Sequence, residues 1–317
     1  MNAVTVQDIK EAQARIRGVI RETPIMPSSA FDGWLKLENL QLTGAYKVRG
    51  ALNALIKQVQ EKDTRPVIVA SAGNHSAGIA FAAHKLGLQS VAVVPVYTPR
   101  VKIERAESLG TEVIRHGEDF EGAFAEAKHL SESRGWHFIH PFDDPDVIAG
   151  QGTIGLELLH MKPDVVALPI GGGGLASGVG TVLKAHGVRV VGVQVQGVDA
   201  MARKLAGRKT PFFPRATVAD GIRVRSVGAR TAAICDAVLD AIMIVSESEV
   251  TRAMKRLAFT DHVIAEGAGA VAVAALDRLR GERKVAVVSG GNVDPATLSS
   301  VMRTRKRPTG PRGKYFI

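Results

Sequence analysis

The chain has 317 residues, 45% of them hydrophobic and 23% charged, and carries a formal net charge of +10. Such a length buries a large core and points to about two domains of ordinary globular composition. No apolar run approaches the ~20 residues that span a bilayer, so no membrane partner is expected, and Cys235, the only cysteine, excludes an internal disulfide and a cysteine metal cluster.

Residues 4–19 carry apolar side chains at helical spacing, with charges between them. Charges run throughout residues 1–21, which leaves no apolar core for a secretory leader. Together with the single cysteine, this fits a reducing cytoplasm. Residues 21–25 break the helix, 34–38 alternate like a strand, and 49–59 return to helical period. An apolar strand over 66–70 runs into Ser71, and 75–86 reads as an Ala-rich buried helix. Strands at 90–95, 111–115 and 136–140 alternate with helices at 99–109 and 120–133. After a turn over 141–145 come a helix at 152–160, a strand at 165–170, a helix from Leu175 and a strand at 188–195. Helices at 247–260 and 267–279 precede a last strand at 284–288. Much of the basic excess sits in residues 303–314, which read as a solvated terminus. No other basic stretch has interleaved aromatics, so no nucleic-acid partner is expected. The few residues after the last strand leave no room for a separate C-terminal sensing domain.

Strands that alternate with helices imply an α/β fold with mostly parallel twisted sheets covered by helices, joined by right-handed crossovers. In such folds the working loops lie at the carboxyl ends of the strands. The segments that start at Ser71, Gly171 and Ser289 each follow an apolar strand directly. With no long Gly/Ser linker and no repeat, two closely associated lobes are expected. Residues 1–48 and 146–317 would form the larger lobe, and 49–145 the smaller.

Four short segments carry the chemistry. In Thr43 to Gly50, Lys47 stands between Gly44 and Gly50, which permit close backbone approach, and beside Arg49. Most lysines are solvated, but a like charge and partial burial lower a lysine pKa and make it nucleophilic. In Ser71 to His75, a hydroxyl, a carboxamide and main-chain N–H groups meet at a helix start. Ser71 there serves as a helix cap, as part of a carboxylate site, or as both; His75 reads as structural. Gly171 to Gly174, between a strand and a helix, free several N–H groups to converge on an anion. Gly171, Gly173 and Ala176 match a dinucleotide fingerprint, yet the next strand ends in Val193-Gln194-Val195 without the acidic residue that binds ribose. Phosphate binding survives that test and dinucleotide binding does not. Ser289, after the last strand, offers a neutral hydroxyl. A nucleophilic amine, an anion loop, a phosphate cradle and a neutral hydroxyl together suit pyridoxal phosphate. That cofactor brings an aldehyde to trap, a phosphate to anchor and a pyridine nitrogen to cap.

On these segments the chain resembles the fold type II pyridoxal-phosphate enzymes, with their two-lobed tryptophan synthase β-like architecture. It is most similar to catabolic threonine dehydratases and serine racemases, over about residues 4–302. Lys36 to Leu40, His140-Pro141, Ile148 to Thr153, Val218 to Gly221 and Glu266 to Gly269 match as well. The resemblance implies that Lys47 is the cofactor's lysine and the general base. Gly171, Gly172, Gly173, Gly174 and Leu175 would form the phosphate loop. Ser71, Ala72, Gly73, Asn74 and His75 would form the loop for the substrate carboxylate, with Asn74 also near the cofactor's ring oxygen. Ser289 would be the pyridine partner, and Glu266 would lie near the ring.

Three departures from the family pattern bear on the reaction. Ala45-Tyr46 replaces Ser-Phe, which bears on substrate-side packing. Ala72 replaces the serine that works as acid/base in racemases. Gln194 and Ala200 replace carboxylates that hold a divalent cation there, so no metal is expected. The reaction implied is β-elimination from a small β-hydroxy amino acid such as L-threonine or L-serine, yielding a 2-oxo acid and ammonia. Serine racemisation and 3-hydroxyaspartate dehydration are the alternatives, and a homodimer or homotetramer is the expected assembly.

Overall fold

A computed structural model describes residues 4–303. The basic tail expected beyond residue 303 lies outside them. The first half of the chain contains α1 (Val6–Ile16), β1 (Ile25–Pro27), β2 (Trp34–Leu37), α2 (Lys47–Gln60), β3 (Val67–Ala70) and α3 (Asn74–Leu86). Next come β4 (Ser90–Val94), α4 (Arg100–Glu107), β5 (Glu112–Arg115), α5 (Phe120–Arg134), β6 (His137–Phe138) and α6 (Pro145–Leu158). The second half contains β7 (Val165–Pro169), α7 (Gly174–Ala185), β8 (Arg189–Val195), α8 (Ala200–Leu205) and α9 (Ala229–Val238). It closes with β9 (Ala241–Val245), α10 (Glu247–Phe259), α11 (Gly267–Ala274), β10 (Lys284–Val288) and α12 (Pro295–Arg303).

The strands form two sheets. Six strands in the order β1-β2-β10-β7-β8-β9 make one, parallel except for the β1–β2 pair. Four strands in the order β5-β4-β3-β6 make the other, parallel throughout. Their near-continuous apolar runs follow from burial on both faces. In the larger sheet Leu168, Val190 and Val287 pack with Val179 and Leu183 of α7, whereas Ala167, Val193 and Ala286 pack with α10 and α11 through Leu257 and Val273. In the smaller sheet Val67 and Val69 meet Leu52 of α2 and Ile79 of α3, whereas Ile68 and Val91 meet Ala123 and Ala127 of α5.

Three expectations change. The helix placed at 152–160 begins seven residues earlier, at Pro145, capped by Asp144, whose carboxylate accepts from the amides of Asp146 and Val147. Glycines along α6 mask its period because the helix packs through bare backbone. A Cβ on Gly178 of α7 would collide with the Ile148 carbonyl of α6. The helix placed at 267–279 stops at Ala274 and continues as one 3-10 turn at Leu276–Arg278. Residues 200–245, for which no element was expected, form α8, α9 and β9.

A buried ionic quartet ties the base of α2 to its neighbours. Arg49, fully buried, donates to both carboxylate oxygens of Glu38 at 2.8 Å and to those of Glu157 at 2.6 and 3.0 Å. Lys36 donates to Glu157 at 2.5 Å. Two cations face two anions, and Thr23 and Thr153 add hydroxyl bonds. Burial alone would raise the Glu38 carboxyl. The Arg49 charge and hydrogen bonds outweigh that and hold it below the usual range.

Candidate active site

Lys47 opens α2 at the floor of a cleft. The loop before it is stitched to the segment after β10: the Tyr46 amide donates to the Ser289 carbonyl at 3.1 Å, and the Gly291 amide to the Gly44 carbonyl at 2.9 Å. The half-buried Lys47 donates from Nζ to the Pro141 carbonyl at 2.6 Å. Removal from water lowers its pKa to about 8. Arg49 is not the cause, contrary to the sequence reading, because its charge is matched by Glu38 and Glu157.

The glycine segment forms the turn from β7 into α7. Gly173 adopts φ +99°, the left-handed region that favours glycine, and a Cβ there would stand 2.6 Å from the Met201 methyl. As the N-cap of α7 it offers no side chain, so the first amides of the helix are left for an anion. The loop is braced from behind. Thr231 donates from Oγ1 to the Gly172 carbonyl at 2.7 Å, and its own amide donates to Asp143 at 2.9 Å. Thr231 lies in the stretch where the sequence showed no period, and nothing local marks it.

The Ser71 segment enters α3. The cap of that helix is Gly73 rather than Ser71; Ser71 instead accepts the Gly73 amide at 3.2 Å. Asn74 donates to Glu266 Oε1 at 2.6 Å and accepts from Asn292 Nδ2 at 2.7 Å. Asn292, three residues beyond Ser289, carries no local signal of this role. His75 is buried with Nε2 3.3 Å from the Ile139 carbonyl. Burial first, and the nearby Lys47 charge second, lower it to about 3, so the ring is neutral at physiological pH. Ser289, also buried, reaches the Ala268 carbonyl at 3.3 Å.

These segments line a single cleft of about 690 Å³. Lys47, Ser71, Ala72, Gly73, Asn74, His75, Gly171, Gly172, Gly173, Gly174, Leu175, Glu266 and Ser289 all face it. An uncapped helix N-terminus, a depressed lysine amine and a buried neutral hydroxyl in one cavity fit a group with a phosphate, an aldehyde and a ring nitrogen. The volume leaves room for a small substrate beside it.

Fold and cleft therefore fit an α/β enzyme that uses a phosphorylated aldehyde cofactor. Residues 16–290 match the family described as pyridoxal-phosphate dependent enzyme, and the chain belongs to it. It is 42% identical over 313 residues to the L-threonine ammonia-lyase of Thermotoga maritima, covering 94% of this chain and 78% of that one. It is 37% identical over 315 residues to the catabolic L-threonine dehydratase TdcB of Escherichia coli K12, covering 94% and 96%. The structure of maize serine racemase superposes with a TM-score of 0.88 at 33% identity, covering 95% and 97%. The architecture is fold type II, as the sequence suggested. Among the described residues, no helix is long and apolar enough to cross a membrane.

Proposed function

We propose that this chain is an ammonia-lyase that converts L-threonine, and also L-serine, to a 2-oxo acid and ammonia. The observation that carries the reading is the pairing, in one cleft, of a base at Lys47 with a pKa of about 8 and a bare methyl at Ala72. The names of the relatives at 37–42% identity support the same reaction.

Pyridoxal phosphate, when bound, supplies the electron sink that acidifies the substrate Cα–H bond. Gly171 to Gly174 and Leu175 would hold its phosphate and Ser289 its ring nitrogen, and Lys47 would hold its aldehyde carbon until the substrate's amino group displaces it and frees Nζ. The amides at the start of α3, with Ser71 and Asn74, orient the substrate carboxylate. Lys47 takes the Cα proton on Nζ as general base. The Cα–H electrons form the Cα–Cβ double bond as the Cβ–O bond breaks, and the hydroxyl leaves as water with the proton that Lys47 Nζ took from Cα; the enamine released then tautomerises to an imine, which water hydrolyses to the 2-oxo acid and ammonia. Ala72 offers no acid that could return a proton to Cα, which favours elimination over racemisation.

The lobe division, 1–48 with 146–317 against 49–145, keeps each sheet inside one lobe. A homodimer or homotetramer in the cytoplasm completes the proposal. The buried Cys235 thiol, pushed up to about 12 by burial, is inert and suits that compartment.

The test is 2-oxo acid release by cofactor-loaded protein from separate L-threonine, L-serine and 3-hydroxyaspartate reactions. Fast release from L-threonine supports the proposal. Release from 3-hydroxyaspartate alone, or from none of the three, overturns it.

A further inference from the structure

One polar side chain near the cleft has no part in the reaction proposed above. Gln194, near the carboxyl end of β8, is fully buried, and both ends of its carboxamide are engaged. Nε2 donates to the Ile170 carbonyl at 3.1 Å and reaches the Val198 carbonyl at 3.5 Å. Oε1 accepts the Ala202 amide at 2.9 Å. These bonds join three backbone segments. Ile170 immediately precedes Gly171, Val198 lies in the turn after β8, and Ala202 lies in the first turn of α8. α8 also carries Met201, whose methyl lies 2.6 Å from where a Cβ on Gly173 would stand.

One carboxamide thus fixes both the entry to the glycine loop and the helix that abuts it. Main-chain amides hold a phosphate only while they converge on it, so the loop depends on braces of this kind. We propose that Gln194 is a positioning residue that sets the glycine loop for the cofactor's phosphate. The proposal rests on the reading of Gly171 to Gly174 as the phosphate cradle. Lys47 stands on α2, which Gln194 does not touch, so aldehyde capture is unaffected and phosphate recognition alone suffers when the carboxamide is lost.

Nε2 faces two main-chain oxygens. A carboxylate in its stead has no hydrogen to offer them, so Gln194→Glu should loosen the same segments.

The experiment titrates cofactor-stripped full-length protein with pyridoxal phosphate and with pyridoxal, followed by absorbance. Wild type should prefer the phosphorylated form. Gln194→Met should weaken pyridoxal phosphate about tenfold while pyridoxal stays within about twofold, the scale of one lost buried hydrogen-bond set. Gln194→Glu should show the same selective loss. Equal loss of both ligands, or no loss, in Gln194→Met overturns the proposal. Should Gln194→Met fail to fold, equal loss of both ligands, or no loss, in Gln194→Glu overturns it. A wild type that binds both ligands equally would instead remove the cradle reading itself.

Discussion

Asn292 donates its side-chain amide to the Asn74 oxygen at 2.7 Å, and the same nitrogen donates to the Thr43 carbonyl at 2.9 Å. With Glu266 accepting from the other end of Asn74, the Asn74 carboxamide has one orientation. It is held between the loop after β10, the lysine loop and the start of α11. Asn292→Ala frees that carboxamide. KM for the amino acid should rise about tenfold, with kcat and thermal midpoint much less affected, as expected for a lost buried hydrogen bond. Steady-state kinetics with L-threonine check this. A variant with unchanged KM would show that Asn74 needs no such partner.

Lys47 has a pKa of about 8 against 10.5 for a free lysine, lowered by its removal from water. Capture of the cofactor aldehyde requires the neutral amine. The rate of the absorbance change on mixing apoprotein with pyridoxal phosphate should therefore climb through about pH 8 and level off above it. The same shift acts on stability. Between about pH 8 and 10.5 the unfolded chain holds a proton that the folded chain has lost, so the cofactor-free protein gains stability as pH rises through that window. Lys47→Arg stays cationic and should abolish both capture and turnover.

Ala72 presents only a methyl to the cleft that Lys47 lines, so it has no hydroxyl to act as acid or base there. Ala72→Ser should raise the ratio of D-serine to pyruvate formed from L-serine, read by chiral chromatography of the reaction mixture. An unchanged ratio would show that the group returning the proton lies elsewhere.

Arg49 is sealed between Glu38 and Glu157. Arg49→Met leaves two carboxylates in a buried site with only Lys36 to offset them. Loss of one partner from a buried pair costs about 3–5 kcal/mol, and urea unfolding of the apoprotein should show a shift on that scale. Arg49→Met combined with Glu38→Gln should recover part of it, because one stranded charge is removed. If the double variant is no more stable than the single one, the quartet is not held together by charge.

Sequence order marked part of the cleft and left several elements of the fold unmarked. Gly171 and Ser289 follow β7 and β10, which are neighbours in the larger sheet, so these two loops share one edge by local order alone. Ser71 follows β3 of the smaller sheet, and only the packing of the two sheets brings it to the same cleft. The stretch from 200 to 245 was illegible because its helices are short and β9 is an edge strand with a mostly unburied face. The start of α6 was hidden because glycines chosen for bare-backbone contact with α7 break the apolar period that marks a helix. The Asp144-Pro145 cap was the local signal that could have placed it.

What the sequence by itself determined was the set of chemical groups and the α/β order that delivers them, since apolar period and strand-end position are local properties. What only tertiary structure decided was how those groups are tuned. Burial, not Arg49, depresses Lys47. Asn292 reaches Asn74 across 218 residues of chain, and Gln194 of β8 reaches Ile170 at the end of the neighbouring β7. Desolvation and hydrogen-bond partners belong to the folded surroundings of a side chain, and those surroundings come from segments that only the fold brings together.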